Sequence, residues 1–562
     1  MRGNNFLSKK RNAMKASIDP DEIFLDSANL PDFDTYQFEG ILEKPISKKT
    51  FFMLGIFFVC VGVIFVARIA SLQVASGAAF AEESENNRLR HLPIFPERGV
   101  IYDRNGIELA WNSPRDGDFS KRSYADMHGL AHIIGYVGYP AADSSGLYYQ
   151  KNYVGKDGAE KYYDDLLAGE AGTRIVETDA FMNTRLGSII YPPTDGESIT
   201  LSVDARMEEK MYDLIALLIA EYKYTGGAGV IMDIKTGEII ALASVPEYSS
   251  SVMTEGDDIS TIRSYQNDRS TPFLNRAVSG LYTPGSTVKP FVAVGVLEEK
   301  VVTPDDKIVS AGSISVPNPY FPDQFSVFND WKAHGPVDIK EALAVSSDVY
   351  FYEVGGGFKT QKGIGIAGIE KYARLFGFGD YTDIDLPGDV DGVIPNPEWK
   401  LAMFNGDPWR VGDTYHTVIG QYGFQVSPVQ MVRGIAAIAN GGALVTPHVR
   451  LGDMVSTTPI SGVNKDVLAV VRDGMRLAVT HGTAKGLDLP YINVAAKTGT
   501  AEIGTANQFI NSWVVGFFPY ENPHYAFTVV MEQGPHNNTV GGLYVMRQFF
   551  EWMAINTPEY VK

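Results

Sequence analysis

From Phe51 to Ala67 the chain carries no charged side chain, and Ile69 to Val74 extend the stretch if Arg68 snorkels to the surface. A run of this length crosses a bilayer as one helix, since a helix satisfies its backbone groups within the segment. Lys44, Lys48 and Lys49 precede it and Glu82, Glu83 and Glu85 follow. The excess of positive charge on the first side places residues 1–50 in the cytoplasm and the bulk of the chain outside. Two other readings fit less well. Cleavage after "AFA" (Ala79–Ala81) would make the stretch a signal peptide, but its apolar core is long and its preceding tail large. A buried helix of a soluble domain is rarely apolar on every face. The tail before the anchor starts basic (Lys9, Lys10, Arg11, Lys15) and turns acidic in "DPDEIFLDSANLPDFDTYQFEG". It has no sustained period, so it reads as disordered, with a docking peptide for a cytoplasmic partner as the other reading.

At 562 residues the chain is too long for one core. Its 45% hydrophobic and 20% charged content is that of a folded protein. A net charge of -19 repels phosphate and argues against nucleic acid as a partner. The single cysteine, Cys60, excludes an internal disulfide and any cluster of cysteines around a metal. After the anchor, "RGVIYD", "HIIGYVG" and "SITLSVD" read as short strands between turn signals such as "DRNG", "GEAG" and "PPTDG". The stretch "ARMEEKMYDLIALLIAEYKY" has the apolar spacing of a helix. The expected layout is a tail (1–50), a transmembrane anchor (51–74), a β-rich pedestal (76–204) and a large α+β domain (205–562).

The tripeptide Lys-Thr-Gly occurs twice. At Lys235 it lies between two apolar runs, with Asp233 and Gly237 supplying turn chemistry, so that copy reads as a hairpin turn with its lysine in water. At Lys497 small residues surround it, with Val494, Ala495 and Ala496 before and Thr498, Gly499 and Thr500 after. That copy reads as the wall of a cleft, where Gly499 lets a ligand's backbone come close. A nucleophile is available in "YTPGSTVKP", which holds the only Ser-x-x-Lys of the chain, Ser286 and Lys289. The Thr283-Pro284-Gly285 turn puts Ser286 at a helix N-terminus and Lys289 one turn on, where its amine reaches the serine hydroxyl. Alone, the pair reads more readily as an N-cap and a surface lysine. Between Ser286 and Lys497 lies one Ser-x-Asp, Ser346 and Asp348 in "AVSSDVYFYE". Three weak motifs in this order make a strong one.

In these residues the chain resembles the class B penicillin-binding proteins, membrane-anchored serine D,D-transpeptidases that cross-link peptidoglycan. Arg98, Gly99, Asp103, Arg104, Asn105 and Gly106 and the segment "GKDGAEKYYDDLLAGEAG" resemble the family's pedestal. "NRAVSGLYTPGSTVKPF", "GFQVSPVQMVRGIAAIANGG" and "AAKTGTAE" resemble its catalytic domain. Asp348, "IDLPGDVDGVIPNPEWK" and "WRVGDT" are similar to the elongation-type branch, penicillin-binding protein 2. The resemblance implies an antiparallel sheet with helices on both faces, an all-helical subdomain and a pedestal, here with its head trimmed. The family's Gly-Gln-Gly reads Gly420-Gln421-Tyr422-Gly423. Some elongation-type members carry zinc through a Cys and a His near the second motif. Here the only Cys lies in the membrane, and neither metal nor cofactor is expected.

The resemblance also implies roles. Ser286 attacks the carbonyl between the terminal D-alanines of a stem peptide, and an amine from a neighbouring stem resolves the acyl-enzyme. Lys289 accepts the serine proton, its amine driven toward neutrality by burial and by Lys497. Ser346 relays the proton to the leaving amine. Asp348 turns toward Lys289, Ser346 or water, since a carboxylate only accepts. Lys497 and Thr498 hold the substrate carboxylate, Gly499 lines the cleft, and the N–H groups of Ser286 and Thr500 form the oxyanion hole. β-Lactams acylate Ser286. Implied partners are peptidoglycan stem peptides, the inner membrane, a SEDS-family glycan polymerase and elongation-complex proteins. The alternatives are a membrane-anchored penicillin sensor or β-lactamase, and a non-catalytic assembly protein on the same fold.

Overall fold

The computed structural model describes residues 48–80, 89–114, 117–144, 147–178, 184–318, 321 and 323–561. Of the tail read as disordered, residues 1–47 lie outside the described residues, and Lys48, Lys49 and Thr50 begin the first helix. The chain divides into two compact units, Met1–Arg90 and His91–Lys562. In the first, helix α1 (Lys48–Ala70) continues as a wider turn over Ser71–Ala75. Together they form one apolar helix of 28 residues with mean hydropathy 2.7 and no buried residue in its most apolar window. At about 1.5 Å per residue that length exceeds a hydrocarbon core of about 30 Å.

The second unit begins with the pedestal. Strands Ile101–Tyr102, Glu108–Ser113 and Lys121–Tyr124 form an antiparallel ladder, and Ile199–Thr200 joins it parallel to Ile101–Tyr102. The two ends of the pedestal therefore meet in one sheet. Buried Glu160 locks them to the segment between: it accepts from Arg98 Nε at 2.6 Å and from Arg122 Nε at 2.7 Å, and Arg98 also reaches Asp164 at 2.7 Å. "HIIGYVG" departs from the strand expected of it. Ala131–Ile134 is one buried helical turn, and the short strand starts at Val137. The cause is tertiary: the Glu247 carboxylate accepts from Gly129 N and Ala131 N, satisfying amides at the start of the turn.

The remainder is built on a five-stranded antiparallel sheet, with strands β1 (Gly226–Asp233), β2 (Ile239–Val245), β3 (Ala495–Ile503), β4 (Phe509–Phe518) and β5 (Tyr525–Pro535). Its order is β2-β1-β5-β4-β3, which makes β3 an edge. Alternation along the strands feeds two cores. Trp513, Val515 and Phe517 of β4 enter one, while Val514 and Phe518 enter the other. Helices α2 (Ala205–Tyr222) and α8 (Gly542–Asn556) cover one face, and α6 (Pro428–Ala439), buried along its whole length, covers the other. Asp204 caps α2 by accepting from Arg206 N, and the helix matches the one expected from its apolar spacing. Helices α3 (Lys289–Glu298), α4 (Ile339–Val345) and α5 (Asp348–Gly356) belong to the helical part beside β3, with α7 (Lys465–Thr480) packed on both α4 and β3.

Candidate active site

The Ser286 turn is a single 3-10 turn, Gly285–Val288, that runs straight into α3. Gly285 has φ +56°, a left-handed conformation that suits glycine. The turn is pressed against β3. A methyl group on Gly285 would come 3.0 Å from Thr500 O, and one on Gly499 would come 2.8 Å from Pro284 O and from Thr287 Cγ2. Gly499 therefore admits the chain's own nucleophile turn. Gly420 closes the other side, receiving Gly285 N on its carbonyl at 3.0 Å. Trp513 Nε1 donates to Thr283 O at 3.0 Å and ties the same turn to β4.

Ser346 ends α4 in a left-handed conformation, φ 59° and ψ 39°, and Ser347 starts α5 as its N-cap, its hydroxyl accepting from Tyr350 N. The Ser-Ser-Asp motif is thus a sharp corner between two helices. Fully buried Lys289 points into it: Nζ donates to Asp348 Oδ1 at 2.6 Å, to Ser346 O at 2.9 Å and to Ser346 Oγ at 3.3 Å. Lys497, also fully buried, donates to Ser346 Oγ at 2.8 Å and to Thr498 O at 2.8 Å. Both lysines meet on one hydroxyl. Among the described residues Lys289 makes no hydrogen bond to Ser286 Oγ, so the expected serine–lysine contact is replaced by the Asp348 pairing. Of the three orientations open to Asp348, the structure has the one toward Lys289.

Burial pushes the Lys497 ammonium well below the usual lysine range; the nearby positive charge of Lys289 adds to this and Asp348 opposes it. The amine that this burial drives toward neutrality is that of Lys497. Thr498 faces Thr483, their hydroxyls 2.7 Å apart, and Thr500 is exposed beside the Ser286 turn. Thr483 carries no motif that would have singled it out. Asp330, in the loop "FNDWKAHG", was missed for the same reason: its side chain is fully buried and accepts from Ser347 Oγ at 2.8 Å and from Val349 N at 3.0 Å. The first Lys-Thr-Gly is the expected turn. Lys235 is exposed, and Asp233 Oδ1 accepts from Lys235 N and Thr236 N at 2.8 and 3.0 Å.

Residues 227–550 match the penicillin binding protein transpeptidase domain, and residues 118–201 match the penicillin-binding protein dimerisation domain. The peptidoglycan D,D-transpeptidase MrdA of Acinetobacter baumannii is 30% identical over 89% of this chain and 87% of its own. The Escherichia coli protein of the same name is 28% identical over 88% of this chain and 92% of its own. In three dimensions the chain is similar to the Helicobacter pylori PBP2 solved in complex with MreC, with TM-score 0.70 and 28% identity over 84% of this chain and 100% of that one. It is also similar to Pseudomonas aeruginosa PBP2 in complex with WCK 5153, with TM-score 0.66 and 28% identity over 82% and 97%. With two lysines meeting on the hydroxyl of a Ser-x-Asp corner, a Ser-x-x-Lys turn seated on the Lys-Thr-Gly strand and a pedestal ahead of them, the chain belongs to the class B penicillin-binding proteins, in the branch of the MrdA-type peptidoglycan D,D-transpeptidases.

Proposed function

We propose that this protein cross-links peptidoglycan stem peptides during cell elongation, through a serine acyl-enzyme that β-lactams trap. The observation that carries the reading is the joint hydrogen bonding of Lys289 and Lys497 to Ser346 Oγ, beside the Ser286 turn. A stem peptide's terminal carboxylate docks on Lys497 and Thr498 and favours the charged form of Lys497. A proton passes from Lys289 through Ser346 Oγ to Lys497, which leaves Lys289 neutral. Ser286 Oγ then attacks the carbonyl between the D-alanines and gives its proton to Lys289. The backbone N–H groups of Ser286 and Thr500 hold the resulting oxyanion, each such donor contributing about 3 kcal/mol to lowering the barrier. The C–N bond breaks as the proton held by Lys289 passes through Ser346 Oγ to the departing D-alanine nitrogen, and an amine of a second stem, giving its proton to Lys289, attacks the ester and displaces Ser286 Oγ, which takes that proton back. Asp348 keeps Lys289 aimed at Ser346 between turnovers.

The tail (1–50) lies in the cytoplasm, 51–74 anchors the chain in the inner membrane as a single pass, and the pedestal (76–204) carries the transpeptidase domain (205–562) outside. The partners are elongation-complex proteins and a SEDS-family glycan polymerase. The similarity to the Helicobacter pylori PBP2 solved with MreC supports the first of these. A fluorescent penicillin tests the core of the reading: Ser286→Ala abolishes covalent labelling of the folded protein, and persistent labelling would remove the catalytic assignment.

A further inference from the structure

Ser346 holds a backbone conformation that is uncommon outside glycine, at the corner where both lysines converge. A strained corner persists when its surroundings over-determine it. Here two consecutive residues of one loop do so from opposite sides. Asp330 takes hold after the corner, accepting on Oδ2 from Ser347 Oγ at 2.8 Å and Val349 N at 3.0 Å. Trp331 takes hold before it, its Nε1 donating to Val345 O at 3.1 Å. The Asp330 carboxylate is itself fixed by Ser310 Oγ at 3.1 Å on Oδ2 and by Trp331 N at 2.8 Å on Oδ1, and its side chain is fully buried. Because it meets the first turn of α5, its charge also complements that helix's N-terminus.

We propose that Asp330 and Trp331 are positioning residues for transpeptidation, a two-sided brace that holds Ser346 in its left-handed conformation and so keeps Lys289, Ser346 and Lys497 in line. The proposal rests on the catalytic reading above and adds residues that touch neither substrate nor the reacting atoms. The brace also acts through charge. Burial disfavours the Asp330 carboxylate, yet the donated hydrogen bonds of Val349, Ser347 and Asp348 and the charge of Lys289 outweigh it and hold Asp330 below the usual range. The charges facing Lys289 are Asp348, Asp330 and Lys497; His334, whose Nε2 lies 3.4 Å from Asp330 Oδ1 and which Lys332 also faces, is held toward its neutral form by burial. Removing the Asp330 charge leaves the ammonium form of Lys289 with one fewer counter-charge.

The test uses the full chain in detergent and a fluorescent penicillin, with the limiting acylation rate, the half-saturating concentration and the pH profile measured separately. Asp330→Ala is expected to lower the limiting rate at least about tenfold while half-saturation stays within about threefold, because the brace acts on the chemical step. Asp330→Asn keeps one acceptor oxygen, retains part of the rate and moves the rising limb of the profile to lower pH. Trp331→Phe keeps an aromatic ring, loses the bond to Val345 O and lowers the limiting rate by about threefold or more. If Asp330→Ala does not fold, the two milder variants decide. Limiting rates within about twofold of wild type, together with an unmoved pH profile, in folded Asp330→Asn and Trp331→Phe would overturn the brace. Ser286→Ala runs in parallel: labelling of that variant overturns the nucleophile assignment, whereas its silence beside normal Asp330 and Trp331 variants overturns the brace alone.

Discussion

At the scale of single residues, identical tripeptides have opposite fates. Lys235 stands in water on a turn, and Lys497 is buried against Ser346. Lys497→Ala is therefore expected to slow penicillin acylation by at least about tenfold, since a charge-assisted contact to the ligand carboxylate is lost. Lys235→Ala should leave the rate unchanged, and equal effects in a labelling time course would contradict the assignment of both copies. Asp348 supplies a pH prediction with a definite sign. Burial and Lys289 push Lys497 down, and the Asp348 carboxylate is the influence that opposes them. Asp348→Asn removes that opposition and one counter-charge of Lys289, so the pH–rate profile of acylation should move to lower pH, with activity kept within about tenfold. An upward displacement would mean that the carboxylate acts in the chemistry itself. Motif spacing sufficed to single out Ser286, Lys289 and Lys497. The direction in which Lys289 points was not legible, because it depends on Asp348, which is brought to it by a different helix.

At the scale of elements, the site is an assembly of one turn, one helix corner and one strand. Helix α7 packs on both α4 and β3 and so spaces the corner that carries Ser346 from the strand that carries Lys497. Gly499 is where strand and turn touch, and a methyl group there would sit 2.8 Å from the Pro284 carbonyl oxygen. Backbone on both sides cannot yield as a flexible side chain would. Gly499→Ala should cost about 1–3 kcal/mol of overpacking and reduce acylation by about tenfold or more, read as the labelling rate of the folded variant. A Gly499→Ala enzyme with wild-type rate would show that the turn can retreat without losing its alignment. The sequence flagged Gly499 as a place of close approach, and the turn that approaches it is distant in sequence and therefore invisible to local pattern. The same limit explains "HIIGYVG". Its β-rich composition promised a strand, but the Glu247 carboxylate from a remote loop satisfies amides at the start of a helical turn.

At the scale of the whole molecule, the pedestal is joined to the catalytic domain by partly buried polar contacts, among them Glu247 with Gly129 N at 2.7 Å and Ala131 N at 2.9 Å. Burial pushes the Glu247 carboxyl up to about 7, against the pull of those two amides. The folded protein then keeps a proton that the unfolded chain has released. This contribution to stability is full below the ordinary carboxyl range and is lost as the pH rises through about 7. Relative to Glu247→Gln, the wild type should therefore lose thermal stability between about pH 4.5 and 7, and parallel melting curves of the two proteins across that window would contradict the assignment. Within the pedestal, Glu160 is held by two arginines and is 0% exposed. Glu160→Ala leaves buried charge uncompensated and should cost about 3–5 kcal/mol, measured by denaturant unfolding of the pedestal. The long apolar helix, the order of the motifs, the hairpin at Lys235 and the helix at Ala205 were all readable from the chain, because each rests on hydrophobic run, spacing or turn chemistry within one segment. The pairing of Lys289 with Asp348, the meeting of two lysines on Ser346, the left-handed corner and its brace, and the amine that burial drives toward neutrality were settled by the fold. Each of these is a property of side chains far apart in sequence whose desolvation and charge exist only once the sheet and its helices have closed around them.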